Sequence, residues 1–512
     1  MDMRSKLSRR DLCIGLPAAL GLTWASGVVA GCGHRAAAAL APATAHVHVS
    51  LDAPIGPFHR LSGVQGSPHP EVSTDVEHVA AYRAHHIERA RFPQDCPANE
   101  LTLAAIFPDE SADPDDPASY RFAAIDRHMI AARDAGLRVM WQSSYDIGLS
   151  DRWVGLNLGG RPIANLDRWA RVLARCLEHF TIGWASGFDR AIAEVEFLNE
   201  PDGLGGYRNR PEALYAAFRR FLAVVNAHNA LHPEASVRPV GPGVPLSIAE
   251  WPTYRAGFER LLSQLTSDGL SLPVFSFHTY GADVSPAGNA RLARELRSLL
   301  DAHGMTATEL WNTEWQASDF LRSHLDLDSA DLSSPTADER RLFAQGVASY
   351  ALSCKARWQG VLSGSFYYRA GERAWPPGER SPFGAGDGTS GFFSPEGRIG
   401  ALALQELLTH RIAQRTAERC AIEVADEPFF VALGLRGPGA AGALLASLAT
   451  TERVVRVGFT GGHAFTVARV VRMDTDAQAL VEELVPLERA ADGSLVAEVK
   501  LGPLQAAVIE LE

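Results

Sequence analysis

From about residue 61 to residue 408, short apolar or β-branched runs alternate with longer stretches of helical periodicity. The runs Leu61–Gln65, His86–Phe92, Arg138–Ser143, Ala193–Leu198, Val237–Gly241, Val274–Tyr280, Glu309–Thr313 and Gly360–Tyr367 read as strands. Between them, Trp169, Val172, Leu173, Cys176, Leu177 and Phe180 recur at the spacing of one helical face. Leu214, Phe218, Phe221, Leu222 and Val225 do the same, as do Leu292, Leu296, Leu299 and Leu300. Eight strands alternating with helices predict an α/β fold, a (β/α)8 TIM barrel over residues 55–410. An open doubly wound sheet is the competing arrangement. No G-x-G-x-x-G follows the first strand, which counts against it.

After Leu408 the pattern changes. Pro428–Leu435, Gly442–Leu448, Val454–Gly458, Phe465–Met473, Leu495–Leu501 and Leu504–Leu511 are strand-like runs separated by Gly- and Pro-bearing turns such as Arg436-Gly437-Pro438-Gly439. This predicts a small C-terminal antiparallel β-sandwich over residues 411–512, with His46–Leu51 as a candidate further strand. The acidic stretches Pro108–Pro117 and Asp326–Asp338 read as solvated excursions, the second near the barrel rim because it follows the seventh strand.

Residues 1–45 read as export information rather than fold. Ser8-Arg9-Arg10-Asp11-Leu12 resembles a twin-arginine signal, and an uncharged apolar run follows to about Ala30. Val29-Ala30-Gly31-Cys32 resembles a lipobox, which would make Cys32 a lipidated N-terminus. Plain secretion, with cleavage between Ala36 and Ala45, and an uncleaved anchor are the alternatives. The expected location is therefore the periplasm, the cell envelope or the medium, with membrane contact only through a lipid anchor.

Composition narrows the function classes. With 46% apolar and 21% charged residues the chain is not largely disordered. A net charge of −12 disfavours nucleic acid as a partner, because phosphate contact needs a basic face. Beyond Cys32 the chain holds Cys96, Cys176, Cys354 and Cys420, none at a C-x-x-C spacing. Cys176 falls on an apolar helical stripe and reads as a small buried hydrophobe. The pairs His46/His48 and His85-His86 bring no third ligand into register, so no metal and no cofactor is expected.

In a (β/α)8 barrel the chemistry sits at the C-terminal strand ends. The fourth strand exits through Glu196-Phe197-Leu198-Asn199-Glu200-Pro201, and the seventh through Leu310-Trp311-Asn312-Thr313-Glu314-Trp315. Each places a glutamate at the end of an apolar run, where an ionisable group is costly without partners or a role. Two carboxyl groups facing each other are what glycosidic cleavage requires: one protonates the leaving oxygen, the other attacks the anomeric carbon or activates water. Two structural rim carboxylates are the alternative.

On these segments the chain resembles the clan A glycoside hydrolases, most of all glycoside hydrolase family 39, the β-xylosidase and α-L-iduronidase family. Tyr120-Arg121-Phe122 through Asp126 and Gly136-Leu137 resembles its stretch before strand three. Glu196 to Pro201 resembles its Glu-x-Trp-Asn-Glu-Pro acid/base motif, with Leu198 in place of Trp. Val240-Gly241-Pro242, His278-Thr279-Tyr280, Thr313-Glu314-Trp315 and Ser390 to Gly397 match in order, covering about residues 55–410.

The resemblance implies a retaining glycosidase with Glu200 as acid/base and Glu314 as nucleophile. Asn199 would bond the sugar 2-hydroxyl. Tyr280 would hydrogen-bond Glu314, while His278 would touch substrate or orient Glu200. Arg91, or Arg89 on the same face, would lower the pKa of Glu314, and Glu196 would be a buried network residue. Trp315 is the leading sugar-stacking platform, ahead of Trp311, Phe366, Tyr367 and Tyr368. The implied partner is an oligosaccharide or polysaccharide, with β-xylosides or related β-linked glycans first. An endo-acting exopolysaccharide hydrolase and a non-catalytic carbohydrate-binding surface lipoprotein are the competing functions.

Overall fold

The computed structural model describes residues 43–66, 68, 78–92, 103–143, 163, 165–201, 210–281, 283–325, 336–368, 391–393, 399–424, 427, 429–461, 464–474 and 479–512. Cys32, the export segment and Cys96 lie outside them, as do most of Asp326–Asp338 and Ser390–Gly397. A first strand, β1 (Ala43–Pro57), belongs to the C-terminal sheet. The next eight close a parallel barrel: β2 (Gly63–Gln65), β3 (Arg89–Phe92), β4 (Arg138–Gln142), β5 (Glu194–Glu196), β6 (Arg238–Leu246), β7 (Val274–Thr279), β8 (Glu309–Trp315) and β9 (Gly364–Tyr367). Helices α1 (His78–Ala84), α2 (Leu103–Ile106), α3 (Ala123–Asp134), α4 (Leu166–Ile182), α5 (Pro211–Leu231), α6 (Trp251–Ser267), α7 (Pro286–Ala302), α8 (Ser318–His324), α9 (Ala337–Arg357) and α10 (Ala401–Arg415) follow the strands in turn. The (β/α)8 architecture expected from the alternating pattern is present, and the doubly wound alternative is not.

The barrel forms because the outward faces of its strands are largely apolar, while the inward faces of β3 and β5 carry Arg89, Arg91, Glu194 and Glu196. Outward residues meet the helices: Trp141 packs edge-on against Phe180 of α4, and Phe197 against Phe218 and Phe221 of α5. The stripe expected on α4 is fully buried, Cys176 included. That helix starts where the Asn165 side chain accepts from the Arg168 amide, and it ends at Gly183, whose φ of 78° suits glycine. Inward, Met140, Val240, Val274, Trp311 and Phe366 form a plug with no exposure. Beneath it, at the N-terminal strand ends, Glu194 pairs with Arg138 and Arg89, and Glu309 with Arg238. Arg89 and Arg238 flank the Trp311 ring at 4.8 and 5.4 Å. The barrel is therefore sealed from below.

The C-terminal part is larger than six runs suggest. It adds β10 (Glu418–Val424), β11 (Phe430–Gly437), β12 (Ala440–Ser447), β13 (Arg453–Thr460), β14 (Val467–Met473), β15 (Leu480–Pro486), β16 (Glu488–Arg489), β17 (Leu495–Leu501) and β18 (Ala506–Leu511). With β1 they make one ten-stranded sheet, ordered β15-β14-β18-β12-β11-β10-β1-β13-β17-β16. All its pairings are antiparallel except that of β1 with β13. The sheet curls until β15 meets β17, enclosing a core that runs from Val47 and Val49 through Leu445 and Ile509 to Val455 and Val499. The strands missed by the pattern, β10, β15 and β16, are those whose residues are mostly exposed or half-buried, so no apolar period marks them. The outer face of β11, β12, β14 and β18 packs on α9 and α10 through Leu352, Leu404, Leu408, Leu433, Leu444 and Val508.

Helix α10 thus touches both halves of the molecule. Its Glu406 is buried against Lys355 of α9 and Arg60. One turn on, the His410 ring stacks on His86 of the α1–β3 connection, with centroids 3.4 Å apart and planes 10° apart. Burial, Arg60 and His86 push His410 down to about 4. A histidine held neutral by the fold takes up a proton more readily when unfolded, so stability is lost as pH falls from about 6.5 towards 4. The expected outcome is a steep fall in Tm between pH 7 and pH 4.5 that is shallower in His410→Phe, which keeps the stack but cannot titrate. Thermal melts by circular dichroism at matched pH values check this, and identical slopes would refute it.

Candidate active site

Above the plug, side chains from five strand ends converge. Arg91, on β3 and completely buried, is at the centre. Its Nε donates to Glu196 Oε2 at 2.6 Å; its Nη1 donates to Gln65 Oε1 at 2.6 Å and to Glu314 Oε2 at 2.8 Å. Its Nη2 donates to Asn199 Oδ1 at 3.0 Å and lies 3.4 Å from His278 Nε2. Burial works against the Arg91 charge, but the carboxylates of Glu196 and Glu314 more than offset it, so its pKa is raised. Of the two arginines on β3, Arg91 is therefore the one at Glu314. Arg89 belongs to the lower ring, beside Glu194.

His278 and Tyr280 project inward from β7 and its exit. Because a guanidinium can only donate, His278 Nε2 accepts and Nδ1 carries the proton, an assignment from the network. Nδ1 then donates to Glu200 Oε1 at 2.9 Å. The Tyr280 hydroxyl donates to Glu314 Oε1 at 2.5 Å. Burial, together with the Glu314 charge, keeps the Tyr280 pKa well above its ordinary value, so the hydroxyl remains a donor.

Two backbone irregularities aim the two glutamates. Trp311 of β8 faces the interior, so strict alternation would turn Glu314 outward. A β-bulge shifts the register between Asn312 and Glu314, pairing Glu314 with His278 and reversing the phase. On β6 a second bulge surrounds Gly243, which has a φ of 67°. The Gly243 carbonyl accepts the Glu200 amide at 3.0 Å and holds Glu200 at a φ of 44°, a conformation a non-glycine residue seldom takes unaided. Gly241-Pro242-Gly243 at a strand exit is the sequence signal that marks such a bulge. Nothing comparable marks the one at Thr313.

The same bulge corrects the expectation for Trp315. With Glu314 turned inward, Trp315 faces out. It is fully buried against Trp358 and Tyr367, with centroids 4.8 Å apart in each case, and has no face for a sugar. Trp311 and Phe366 are in the plug and Tyr367 faces the helices, with its hydroxyl accepting from the Ala317 amide. Tyr368 does reach the mouth, edge-on to Tyr280. Gln65, absent from the sequence expectations, binds Arg91.

Glu200, with 15% of its side chain exposed, and Glu314, with 6%, face each other across the mouth. Potential ligand atoms of Glu200, His278 and Glu314 lie within 4.8 Å of one another, a spacing on the scale of a metal site. Both Glu314 oxygens and His278 Nδ1 already have hydrogen-bond partners, however. Arg91 and Tyr280 donate to Glu314, His278 Nδ1 holds a proton, and the guanidinium charge stands 2.8 Å from Glu314. Such a set favours charge-assisted hydrogen bonds over a cation. Burial raises the Glu314 pKa above the ordinary carboxylate range. Arg91 and the Tyr280 hydrogen bond oppose that rise, and Glu200 adds to it. The expected lowering by Arg91 is real but is outweighed by desolvation.

No protein-family model and no curated protein sequence matches the chain. Solved structures do. A glucosidase from Croceicoccus marinus superposes with a TM-score of 0.65 at 21% identity, over 92% of this chain and 99% of its own. A monomeric β-xylosidase from Caulobacter crescentus gives 0.60 at 14%, over 91% and 99%. A GH39 enzyme from Xanthomonas axonopodis pv. citri gives 0.60 at 15%, over 92% and 98%. At these identities the likeness establishes the fold, a closed parallel barrel followed by a large, mostly antiparallel sheet.

Gly243→Ala tests the bulge. An added Cβ meets Leu198 O at 3.1 Å in a left-handed conformation. The expected cost is about 1–2 kcal/mol of stability, measured by urea denaturation. An unchanged midpoint would count against the strained turn.

Proposed function

We propose that the chain is a retaining glycoside hydrolase acting by double displacement, with Glu200 as acid/base and Glu314 as nucleophile. The observation that carries this reading is the approach of an oxygen of Glu200 to one of Glu314 within 4.8 Å, at the C-terminal strand ends of a barrel sealed below. Inverting enzymes need about 6.5–9.5 Å to admit a water between the carboxyl groups, while direct attack needs about 5 Å.

In the first step a Glu314 oxygen attacks the anomeric carbon. The glycosidic bond breaks as Glu200 gives its proton to the leaving oxygen. In the second, Glu200 takes a proton from water, the water oxygen attacks the same carbon, and Glu314 departs as carboxylate. His278 orients this exchange. Its Nδ1–H occupies Glu200 Oε1, which leaves Oε2 to carry the proton towards the leaving group. Asn199, fixed by Arg91, stands beside the acid/base to bond the sugar 2-hydroxyl. Arg91 and Tyr280 each donate one hydrogen bond to Glu314, to Oε2 and Oε1 in turn, which leaves a further lone pair on each oxygen for attack on carbon.

The resemblance to family 39 and the fold shared with a β-xylosidase favour a β-xyloside or related β-linked glycan as substrate. Export through the Arg9-Arg10 signal, with lipidation at Cys32, belongs to the same reading and rests on sequence alone.

Glu314→Ala is expected to abolish hydrolysis of aryl β-glycosides while leaving the melting transition in place. For the wild type, NMR of the first product is expected to show the substrate's own anomer. Equal turnover by wild type and mutant would favour a non-catalytic sugar-binding protein, and the opposite anomer would favour inversion. A second test uses pH. The nucleophile must be ionised, so activity is lost as pH falls through a Glu314 pKa raised above 4.5. Tyr280→Phe removes a hydrogen bond that favours the ionised form, so the acid limb of kcat/KM should move to higher pH. A limb that stays put or moves down would show that Tyr280 does not tune Glu314.

A further inference from the structure

Gln142 is the last residue of β4 and pairs with Glu196 in the parallel β4–β5 ladder. Paired residues of neighbouring strands share a face. Glu196 reaches Arg91 inside the barrel, so Gln142 also projects inward. It stands two residues beyond Met140, which pairs with Arg91, and so is one inward layer further along the barrel, level with Glu196. The side chain is 3% exposed, and its Nε2 has no hydrogen-bond partner among the described residues. Buried amides are nearly always paired, because an unmade hydrogen bond there costs the full desolvation of the donor. Gln65, Arg91, His278, Tyr280 and Glu314 are engaged with one another, whereas the ladder partner Glu196, like Gln142, keeps a buried polar atom, Oε1, without a partner among the described residues. Gln142 is left out of that network with a donor in hand.

We propose that Gln142 is a substrate-binding residue whose Nε2 donates to a ring hydroxyl of the sugar held between Glu200 and Glu314. The proposal rests on the glycosidase reading and deepens it. An unpaired amide N–H needs an acceptor, and a hydroxyl oxygen on a neutral sugar supplies one without bringing a second charge beside Glu196 and Glu314. A site that buries a donor for one hydroxyl rejects the analogue that lacks it, because the donor is then left unpaired. Gln142 therefore sets sugar specificity at one ring position.

The test is Gln142→Met, an unbranched chain of similar length without the donor. Melting is measured without ligand. Tm is expected to hold or rise; a fall of several degrees would show that the amide is satisfied within the fold and overturn the proposal. Kinetics are measured on 4-nitrophenyl β-D-xylopyranoside and its 2-, 3- and 4-deoxy analogues. The variant is expected to lose roughly 10- to 100-fold in kcat/KM on the parent glycoside, and to match the wild type on the one analogue missing the hydroxyl that Gln142 reads. No loss on the parent, or an equal loss on all four substrates, would overturn it. Failure of the glycosidase reading shows separately, as absence of wild-type turnover on any aryl glycoside, and the melting comparison then still decides whether Nε2 is unpaired.

Discussion

Arg91 places a permanent positive charge where water does not reach, and the candidate site is arranged around compensating it. A buried guanidinium is tolerated only with charge and hydrogen-bond partners on several sides. Here Glu196, Gln65, Glu314, Asn199 and His278 provide them from four other strand ends. The same contacts tie Glu314 to Asn199 and His278, and through His278 to Glu200. The geometry of the carboxylate pair therefore depends on one side chain that itself performs no chemistry.

That compensation is deliberately incomplete at Glu314. Its carboxylate is drawn towards ionisation by Arg91 and Tyr280 and away from it by burial and by Glu200. A carboxylate balanced in this way is less tightly held than one serving only as a counter-ion. Glu196 is the comparison: it is deeper, fully buried, and bound to the Arg91 Nε. Two glutamates facing one guanidinium thus divide the work, one neutralising it and the other remaining available at the mouth.

The backbone makes the division possible. A regular eight-stranded barrel would present alternate residues inward in fixed layers. The bulges at Gly243 and Thr313 break that regularity at the two strands beside the carboxylate pair, one anchoring the Glu200 turn and the other turning Glu314 inward. The lower half of the barrel has no such irregularity at its plug and ion-paired ring, where the requirement is stability rather than aim.

Much of this was legible in the chain. Hydrophobic period alone identifies the eight barrel strands, the α4, α5 and α7 faces and the burial of Cys176, because burial of an apolar stripe is a local property repeated at a fixed interval. The strand-end positions single out Glu200 and Glu314, since strand ends of one barrel must meet, and the resemblance to family 39 adds Asn199, His278, Tyr280 and one of Arg89 and Arg91. It does not foresee Trp315 turning outward, because one extra residue in β8 inverts every side chain after it and leaves no compositional trace. Nor does it foresee β10 and β15, whose exposed faces carry no period. Which arginine meets Glu314, which carboxylate bears the cost of burial and which amide is left unpaired are decided only in three dimensions, because each depends on distances between strands that are remote in sequence.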